Sequence, residues 1–498
     1  MIGLKKWYKF PRGLSRCVLV IIVYICASAV IRAFVPAPQA VGMSSPERPI
    51  ADIRFFNDSS WLDEGARYLS QNVFDGIFDG IRAANNLIVL DMFLFNQWQG
   101  PAPENHRALS SELTQVLIEQ QHRYPDMDII VISDPINTVY GGLPSVHFDE
   151  MKSAGIHVLL TRLDQLQDSN PLWSGVWRGL IKPWGNEPGD ILPNPFGDGR
   201  VSIRSYLALL NFKANHRKLM IADNQGSELY GWVSSANPHD GSSAHRNIGI
   251  RFSGEAVLDL LNSERALLSM NDADHLVALL DKRLEALAKS GIRLSLTEGP
   301  VSAGAEKIQL VSESSIHKAV LAAITRTRPG DRIDMAMFYL SEREIIAALK
   351  KAAANGVQVR VLLDVNSDAF GRSKNGVPNR PVAAELVKAS VVVRWCLTEG
   401  EQCHAKWLHV RNAEGHEFFV GSANFTGRNL LDLNMETNVR LVLHSDNSMT
   451  KEMHEFFERQ WSNADGRGYS AAYDEFADDS LWLTLQYRFM EMSGLSTF

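Results

Sequence analysis

The stretch that decides the fold of this chain reads Asn215-His216-Arg217-Lys218-Leu219-Met220-Ile221-Ala222-Asp223 and continues to Ser234-Ser235-Ala236-Asn237. A second copy reads Cys403-His404-Ala405-Lys406-Trp407-Leu408-His409-Val410-Arg411 and continues to Gly421-Ser422-Ala423-Asn424. The histidine precedes the asparagine by 21 residues in the first copy and by 20 in the second. Because chance recurrence of four residue types at one spacing is improbable, the chain is predicted to carry two matching half-sites.

The two residue types that open each copy point to phosphate chemistry. Residues two apart on a strand project from the same face, so each His-x-Lys presents an imidazole and an ammonium side by side. Two such pairs facing each other would supply a nucleophile, a general acid and two cations for a phosphate group, without a metal. A lone His-x-Lys is more often an ordinary surface pair, so the prediction depends on the duplication.

The duplicated motif resembles that of the phospholipase D superfamily, in which His-x-Lys is followed by Asp and then by Gly-Ser-x-Asn. The first copy carries Asp223 but has Ser234 in place of the glycine, and the second carries Gly421 but has Arg411 in place of the aspartate. The resemblance implies that one histidine attacks phosphorus to give a phosphohistidine and that the other protonates the leaving group. It also implies that lysine and asparagine hold the phosphate oxygens and that the aspartate supports the fold.

The site residues follow from these motifs. The catalytic candidates are His216, Lys218, His404 and Lys406. The candidates for phosphate binding or support of the site are Asn237, Asn424, Ser235, Ser422, Asp223 and Glu436. Glu436 stands where the family places an acidic residue, whereas the corresponding first-half segment, 247–249, has glycine there, with Asp240 as a possible substitute. The half-sites are therefore expected to differ, and both assignments of the two histidine roles stay open.

The repeat extends beyond the motifs, as expected for a duplicated domain. The echoed runs are 87–95 with 332–338 and 129–134 with 359–364. They are apolar and rich in β-branched residues, which predicts buried strands, and Asp91 and Asp334 are taken as equivalent. Helical patterns at 109–121 and 342–354 alternate with these strands, which favours an α/β fold with a largely parallel or mixed sheet. The resemblance implies two tandem α/β sandwich units, packed as a pseudo-dimer with the active site at their interface.

The first half contains extra sequence before its motif. Asp91 and Asp334 are 243 residues apart, whereas the two motif histidines are only 188 apart, and most of the difference lies between residues 163 and 214. The large aromatic residues of this insertion are Trp173, Trp177, Trp184 and Phe196. Long loops beside sites often carry specificity, and such aromatics can equally pack on their own domain, so both interpretations stay open.

The N-terminus predicts export. Residues 1–16 contain five basic and no acidic residues, and an apolar run follows, which is typical of a transmembrane signal anchor or a signal peptide. The positive-inside rule then places the catalytic part on the periplasmic side of a bacterial inner membrane. The predicted segments are a basic cytoplasmic region (1–16), the anchor or signal peptide (17–35), a linker (36–50), the first half (51–253), a helical connector (254–300), the second half (301–465) and a C-terminal segment (466–498).

Charge narrows the substrate class. Without residues 1–16 the chain has 45 basic against 57 acidic residues, a formal net charge of −12. A nucleic-acid partner is disfavoured, because such binders normally present a basic surface. The sequence therefore favours a membrane phospholipid as substrate, with water, an alcohol or a lipid as acceptor, and within the family it is most similar to cardiolipin synthases and related phospholipases. A membrane-anchored nuclease and a catalytically impaired binding protein are the alternatives.

Cysteine usage adds one structural prediction. Cys396 and Cys403 lie seven residues apart in the part predicted to be exported, where the oxidising compartment favours a disulfide. No group of histidines and cysteines has the spacing of a zinc site along the sequence. Neither a metal nor another cofactor is expected to take part in the reaction.

Overall fold

The computed structural model describes residues 12–34, 36–100, 106–292, 301–302, 304–369, 372–413 and 415–496. The elements as far as residue 292 are α1 (Arg12–Phe34), β1 (Arg48–Pro49), β2 (Ile53–Asn57), β3 (Ser59–Asp63), β4 (Ala66–Ser70), α2 (Val73–Ala83), β5 (Leu87–Met92), α3 (Leu109–Arg123), β6 (Asp128–Ser133), α4 (Val146–Ser153), β7 (His157–Leu160), α5 (Pro171–Val176), β8 (Leu192–Pro193), β9 (Arg200–Val201), α6 (Ile203–Leu209), β10 (Lys218–Asn224), β11 (Glu228–Ser234), β12 (Ile248–Ser253), α7 (Glu255–Met270) and α8 (Asp274–Lys289). The remaining elements are β13 (Lys307–Val311), α9 (Glu313–Thr325), β14 (Arg332–Met337), α10 (Arg343–Ala354), β15 (Gln358–Leu363), β16 (Asp368–Ala369), β17 (Arg372–Ser373), α11 (Asn379–Val387), β18 (Val392–Cys396), β19 (Lys406–Asn412), β20 (Gly415–Gly421), α12 (Gly427–Leu430), β21 (Asn438–Leu443), α13 (Ser448–Ser462), β22 (Ser470–Ala472) and α14 (Leu481–Ser493).

Two large sheets repeat one strand order. The first sheet runs β2-β12-β11-β10-β5-β6-β7, and the second contains β13-β21-β20-β19-β14-β15-β18 with β1 and β22 added at its edges. In the first sheet β5, β6 and β7 are parallel, in the second β14, β15 and β18 are parallel, and the other pairings are antiparallel. The prediction of a mixed α/β fold is confirmed, and the shared strand order is that of a duplicated unit.

The strand registers correct one detail of the repeat. The residues opposite the two motif lysines, on β5 and β14, are Met92 and Met337. Asp91 is therefore the counterpart of Ala336, and the predicted equivalence of Asp91 with Asp334 is wrong by two positions. In a strand whose side chains alternate, a shift of two leaves the same faces pointing to the core, so the apolar pattern does not distinguish the two alignments.

Three apolar cores organise the described part of the chain. One lies between the first sheet and helices α2 to α4, and a second lies between the second sheet and helices α9 to α11 and α14. The third combines residues of both sheets with helices α7, α8 and α13. At its centre the fully buried Trp407 meets the rings of Phe55 and Phe456 at centroid distances of 6.1 and 5.8 Å. Since this core is shared, the two halves are held in one relative position.

Helix α10 illustrates how local sequence sets an element. Its buried residues Ile345, Ile346, Leu349 and Ala352 follow the spacing of one helical face. Glu342 caps its first turn, because its side chain accepts hydrogen bonds from the backbone N–H groups of Glu344 and Ile345. The helix therefore begins where an acceptor satisfies the free N–H groups, and it is oriented by its apolar face.

The segment predicted to be an anchor or signal peptide forms α1, which packs against α5 and the residues that follow it. Arg178 donates hydrogen bonds to the hydroxyl and the carbonyl oxygen of Ser28 at 3.0 and 3.2 Å. Several apolar side chains on the other side of α1 remain exposed, including Leu19 and Val20. Among the described residues, no helix combines the length and apolarity needed to cross a bilayer. Residues 1–11 of the predicted basic region lie outside the described residues.

The predicted disulfide is present. Cys396, at the end of β18, is bonded to Cys403 with an S–S distance of 2.06 Å, and the Cα atoms are 6.2 Å apart. Both side chains are buried in the shared core. The bridge closes the loop that leads directly into His404.

Replacing both bridged cysteines by serine is expected to lower the free energy of unfolding by about 2–3 kcal/mol, because the bridge restricts the unfolded chain over this short loop. Urea unfolding of the oxidised protein measures the change. The matched control is Cys26→Ser, which removes an exposed free thiol and should leave the midpoint unchanged. Equal midpoints for the double variant and the wild-type protein would contradict the prediction.

Candidate active site

Two backbone contacts between the halves bring the motifs together. The N–H of His216 donates to the carbonyl of Met435 at 2.9 Å, and the N–H of Met435 donates to the carbonyl of Ala214 at 2.9 Å. In the second contact, the N–H of Arg246 donates to the carbonyl of Gln402 at 2.9 Å. Each motif histidine is thereby placed beside a residue of the opposite half.

His216 is held by a carboxylate from the second half. Its Nδ1 lies 2.7 Å from Oε1 of Glu436, which is fully buried. Ser422 and Asn429 donate hydrogen bonds to the same carboxylate, and the backbone N–H of Glu436 donates to Glu313 at 2.6 Å. A proton on Nδ1 satisfies Glu436, so the lone pair of Nε2 is left for chemistry.

His404 is held by an amide from the first half. Its Nδ1 lies 3.1 Å from Oδ1 of Asn247, and the hydroxyl of Ser235 donates to the same oxygen at 3.1 Å. Asn247 is therefore the counterpart of Glu436, and the sequence comparison that placed Gly249 there is wrong by two positions. The predicted serines thus orient the two histidine partners, and one partner is charged while the other is neutral.

Asp240 does not replace the missing carboxylate. Its Oδ1 accepts hydrogen bonds from the N–H and the hydroxyl of Ser110, at 3.0 and 2.7 Å, at the start of α3. It therefore supports the N-terminal end of that helix, where a negative charge is stabilised by the helix dipole.

Ser234, which replaces the usual glycine of the motif, is explained by the residue opposite. Ser234 pairs with Gly249, whereas Gly421 pairs with Asn438. A Cβ atom on Gly421 would collide with the side chain of Asn438, and a Cβ atom on Gly249 would lie 3.1 Å from that of Ser234. Each half therefore has one side chain and one glycine at this close approach, on opposite strands. Ser234 can therefore replace the usual glycine without changing how closely the two strands pack.

Both motif lysines are buried inside the site. The Nζ atom of Lys218 donates to the carbonyl of His216 at 2.6 Å, and that of Lys406 donates to the carbonyl of His404 at 2.7 Å. Neither lysine side chain is exposed to solvent. Each ammonium is thus fixed next to its own histidine, as the His-x-Lys spacing predicts.

Two phenylalanines complete the site and escaped the sequence prediction. The ring of Phe93 lies 4.6 Å from that of His216, and the ring of Phe338 lies 5.1 Å from that of His404. The motif lysines lie over the same rings, with Nζ 5.0 and 5.2 Å from the centroids. Each phenylalanine follows the last residue of its buried strand, β5 or β14, and this position in the repeat is the signal that could have found them.

Two buried aspartates support the backbone before the histidines. Oδ2 of Asp134 accepts from the N–H of Asn215, and Oδ2 of Asp364 accepts from the N–H of Cys403, both at 2.7 Å. Burial raises the pKa of Asp134 to about 7 and that of Asp364 to about 6. Each aspartate directly follows its strand, β6 or β15. Both lie in the runs that the sequence repeats, but the sequence did not indicate which backbone groups they contact.

The two predicted asparagines are buried, whereas the motif aspartate of the first half binds backbone N–H groups. Asn237 and Asn424 are nearly fully buried; Oδ1 of Asn424 has no hydrogen-bond partner in the described part of the chain. Asp223 accepts hydrogen bonds at 2.8 Å from three backbone N–H groups, those of Asn86, Leu87 and Gly226. Asp223 therefore supports the fold, whereas Arg411 at the equivalent place is exposed.

Burial controls the charges of the site. It lowers the pKa of His216 to about 4 and that of Lys218 to about 7, and it takes those of His404 and Lys406 well below their ordinary values, with the neighbouring lysine charge adding to the effect on each histidine. Burial alone would raise the pKa of Glu436, but His216 and Lys218 outweigh it and the pKa is lowered. At neutral pH the site therefore holds neutral imidazoles and an ionised Glu436.

Comparison with known proteins agrees with this fold. Residues 320–461 match the family model described as cardiolipin synthase, PLD-like domain. Curated protein sequences give no significant match. The solved structure of phosphatidylserine synthase from Haemophilus influenzae Rd KW20 is similar with a TM-score of 0.57 and 10% identity, over 90% of this chain and 95% of that one. Nuc from Salmonella typhimurium, a phospholipase D family member, has a TM-score of 0.26 and 21% identity, over 34% of this chain and 99% of that one.

The match in the second half and the shared overall fold confirm the resemblance to the phospholipase D superfamily. Members of this superfamily are phosphodiesterases and transferases, and the matched segment, which contains the second His-x-Lys motif, is a phospholipase D-like domain. Within the superfamily, the domain that matches by sequence is of the cardiolipin synthase type.

The pKa of Lys218 predicts the alkaline limit of activity. As the pH rises through about 7, Lys218 loses the charge that holds a phosphate oxygen, so kcat/KM should fall. In Lys218→Arg the guanidinium stays charged. The fall of kcat/KM on the alkaline side of the pH profile should therefore move to higher pH by roughly one unit or more, at a lower maximal rate. Lys388→Arg, at an exposed lysine, is the control. Superimposable pH profiles for Lys218→Arg and the wild-type protein would refute the assignment.

Proposed function

We propose that this protein is a phospholipid phosphodiesterase or phosphatidyltransferase that acts through a phosphohistidine intermediate. The observation that carries the proposal is the exchange of partners between the halves, which brings both His-x-Lys pairs into one buried site. The unequal partners, Glu436 on His216 and Asn247 on His404, supply the division of labour that the two-step reaction needs.

His216 is the better nucleophile of the two histidines. Attack through Nε2 leaves a ring that carries both the phosphoryl group and a proton on Nδ1, and therefore a positive charge. Glu436, ionised and 2.7 Å from Nδ1, stabilises that charge as it develops. Lys218 and Lys406 compensate the negative charge on the phosphate oxygens.

His404 then acts as the acid and afterwards as the base. The negative charge of a bound phosphodiester favours protonation of His404, whose ring is neutral in the free site. Its Nδ1 faces a neutral amide, so no carboxylate holds the proton on the ring, and the protonated His404 releases its Nε2 proton readily to the departing alcohol oxygen. The neutral imidazole that remains takes a proton from water or an acceptor alcohol. That oxygen attacks the phosphohistidine, breaks the P–N bond and regenerates His216.

A lipid substrate is supported by the surface near the site as well as by the comparisons. The last helix, α14, exposes large apolar residues, among them Leu481, Trp482 and Met492 at 81%, 72% and 82%. The C-terminal end of this helix is linked to the site indirectly: Arg428 donates to the carbonyl of Gly494, and the adjacent residue, Asn429, donates to the active-site carboxylate of Glu436. An apolar helix beside a phosphodiester site suits a substrate that lies in a membrane surface.

Leaving-group chemistry tests the two roles. His216→Ala should abolish turnover of every substrate, whereas His404→Ala should lose activity on phospholipid but retain attack on a p-nitrophenyl phosphodiester, whose leaving group needs no proton. An alkaline quench with phosphate-labelled substrate should then trap an adduct on His216. His444→Ala, at an exposed histidine, is the control. If His216→Ala instead retained attack on the p-nitrophenyl phosphodiester and His404→Ala did not, the two roles would be reversed. Normal turnover of phospholipid in either variant would refute the two-histidine site.

The substrate class is tested with vesicles of phosphatidylglycerol and phosphatidylethanolamine, with and without added glycerol. Chromatography of the lipids should show phosphatidic acid if water is the acceptor and an exchanged phospholipid if an alcohol is, and His216→Ala should form neither. Single- and double-stranded DNA are offered in parallel. Cleavage of DNA without turnover of lipid would favour the nuclease interpretation and contradict the proposal.

A further inference from the structure

Three side chains with metal-ligating atoms meet on the second sheet, away from the motifs that define the active site. Asp334 lies on β14, His409 on β19 and His454 on α13, and one ligand atom of each lies within 4.8 Å of the others. Asp334 and His409 are buried, whereas the side chain of His454 is 30% exposed. The cluster is therefore a buried pair with a rim that solvent reaches.

The atoms that face one another lack partners. Oδ2 of Asp334, Nδ1 of His409 and Nδ1 of His454 are each buried without a hydrogen-bond partner in the described part of the chain. The first two of these atoms are 3.8 Å apart. Leaving a buried polar atom without a partner costs free energy, so three such atoms at one point indicate a group that satisfies them together.

The outer nitrogen of each imidazole faces a neighbouring side chain. Nε2 of His409 lies within hydrogen-bond distance of Nδ1 of His416, at 2.9 Å, whereas Nε2 of His454 faces the carboxylate of Glu458 at the ion-pair distance of 3.7 Å. A histidine that donates from Nε2 keeps the Nδ1 lone pair free. This is the arrangement of a metal-bound histidine whose second nitrogen is held by a neighbour.

The charges around Asp334 are balanced. Arg332 and Arg360 donate to Oδ1 of Asp334 at 3.1 and 2.7 Å, and both also pair with Glu458 at 2.6 Å. These contacts orient the carboxylate and leave Oδ2 directed at His409. The nearby Arg411 is exposed, so solvent screens its charge.

The first half shows that the fold does not require a polar cluster here. The counterparts of Asp334, His409 and His416, by strand register, are the buried Val89, Ile221 and Leu229. Apolar residues fill the same positions of the same fold. The polar set is therefore a feature of the second half that packing does not explain.

We propose that Asp334, His409 and His454 bind a divalent transition-metal ion, for which zinc is the best match. Two imidazole nitrogens and one carboxylate oxygen suit zinc, and water can fill the fourth position of a tetrahedron. Zinc ligands about 2.0–2.2 Å from the ion lie about 3.4 Å apart, so small side-chain movements close the cluster. His409 follows Lys406 by three residues on β19, so its side chain points to the face of the sheet opposite to that of Lys406. The ion therefore takes no part in the reaction. It links α13, which carries His454, to the sheet.

Metal binding by the full-length protein, without a histidine tag and after treatment with a chelator, tests the proposal. Zinc is titrated in competition with a chromophoric chelator, and cobalt is added separately to read the coordination geometry from its visible absorption. The wild-type protein should bind one equivalent of zinc, show a tetrahedral cobalt spectrum and gain thermal stability with zinc. His454→Ala and His409→Ile should lose all three effects. His409→Ile introduces the residue that the first half has at the equivalent position, Ile221, so the substitution suits the fold.

Two controls separate the possible outcomes. His122→Ala removes an exposed histidine elsewhere and should bind zinc like the wild-type protein. His216→Ala with His404→Ala removes the active-site histidines and should also retain the ion. Circular dichroism establishes that each variant is folded. Unchanged zinc binding in folded His454→Ala, loss of zinc only in the active-site variant, or no stoichiometric binding by the wild-type protein would each overturn the proposal.

Discussion

The structure depends on the exchange of partners between its halves. His216 belongs to the first half but is held by Glu436 of the second, and His404 belongs to the second half but is held by Asn247 of the first. An ionised carboxylate as deeply buried as Glu436 is costly unless it is paired, and its partners come from both halves. The docking of the two sheets around one shared core and the formation of the active site are therefore one event.

Duplication here has preserved geometry while changing chemistry. The glycine and the larger residue at the close strand approach have changed sides between the halves, so the packing survives a change in the motif. Asp223 ties a turn to its strand, whereas the equivalent Arg411 is exposed and contributes no such support. Because the local fold tolerates these differences, one half could keep a carboxylate beside a histidine while the other presents an amide. A symmetric fold thus carries an asymmetric reaction centre.

Burial of the lysines makes the site selective for an anion. Burial lowers the pKa of both Lys218 and Lys406, and the charge of Lys218 lowers that of Lys406 further. A phosphodiester brings the negative charge that reverses this effect, so the ammonium groups are stabilised in the complex more than in the free protein. The two phenylalanine rings beneath them add a weaker attraction to the same cations. Charge in the site is thus matched to a bound phosphate group.

Local spacing was enough to predict the two His-x-Lys pairs, the serines and asparagines that follow them and the mixed α/β fold, because each is encoded within a short run of residues. Glu436 was assigned from the family resemblance, and the disulfide from the short separation of its cysteines together with the predicted export. The alignment of Asp91 with Asp334 and of Gly249 with the acidic position was wrong, since a shift of two residues leaves an alternating pattern unchanged. Asn247, Phe93 and Phe338 were missed as site residues, and the contacts of Asp134 and Asp364 were not foreseen. The sequence also did not predict that Asp334, His409 and His454 lie together. These relations join residues far apart in the chain, and only strand register and the packing of one half against the other bring them within contact distance.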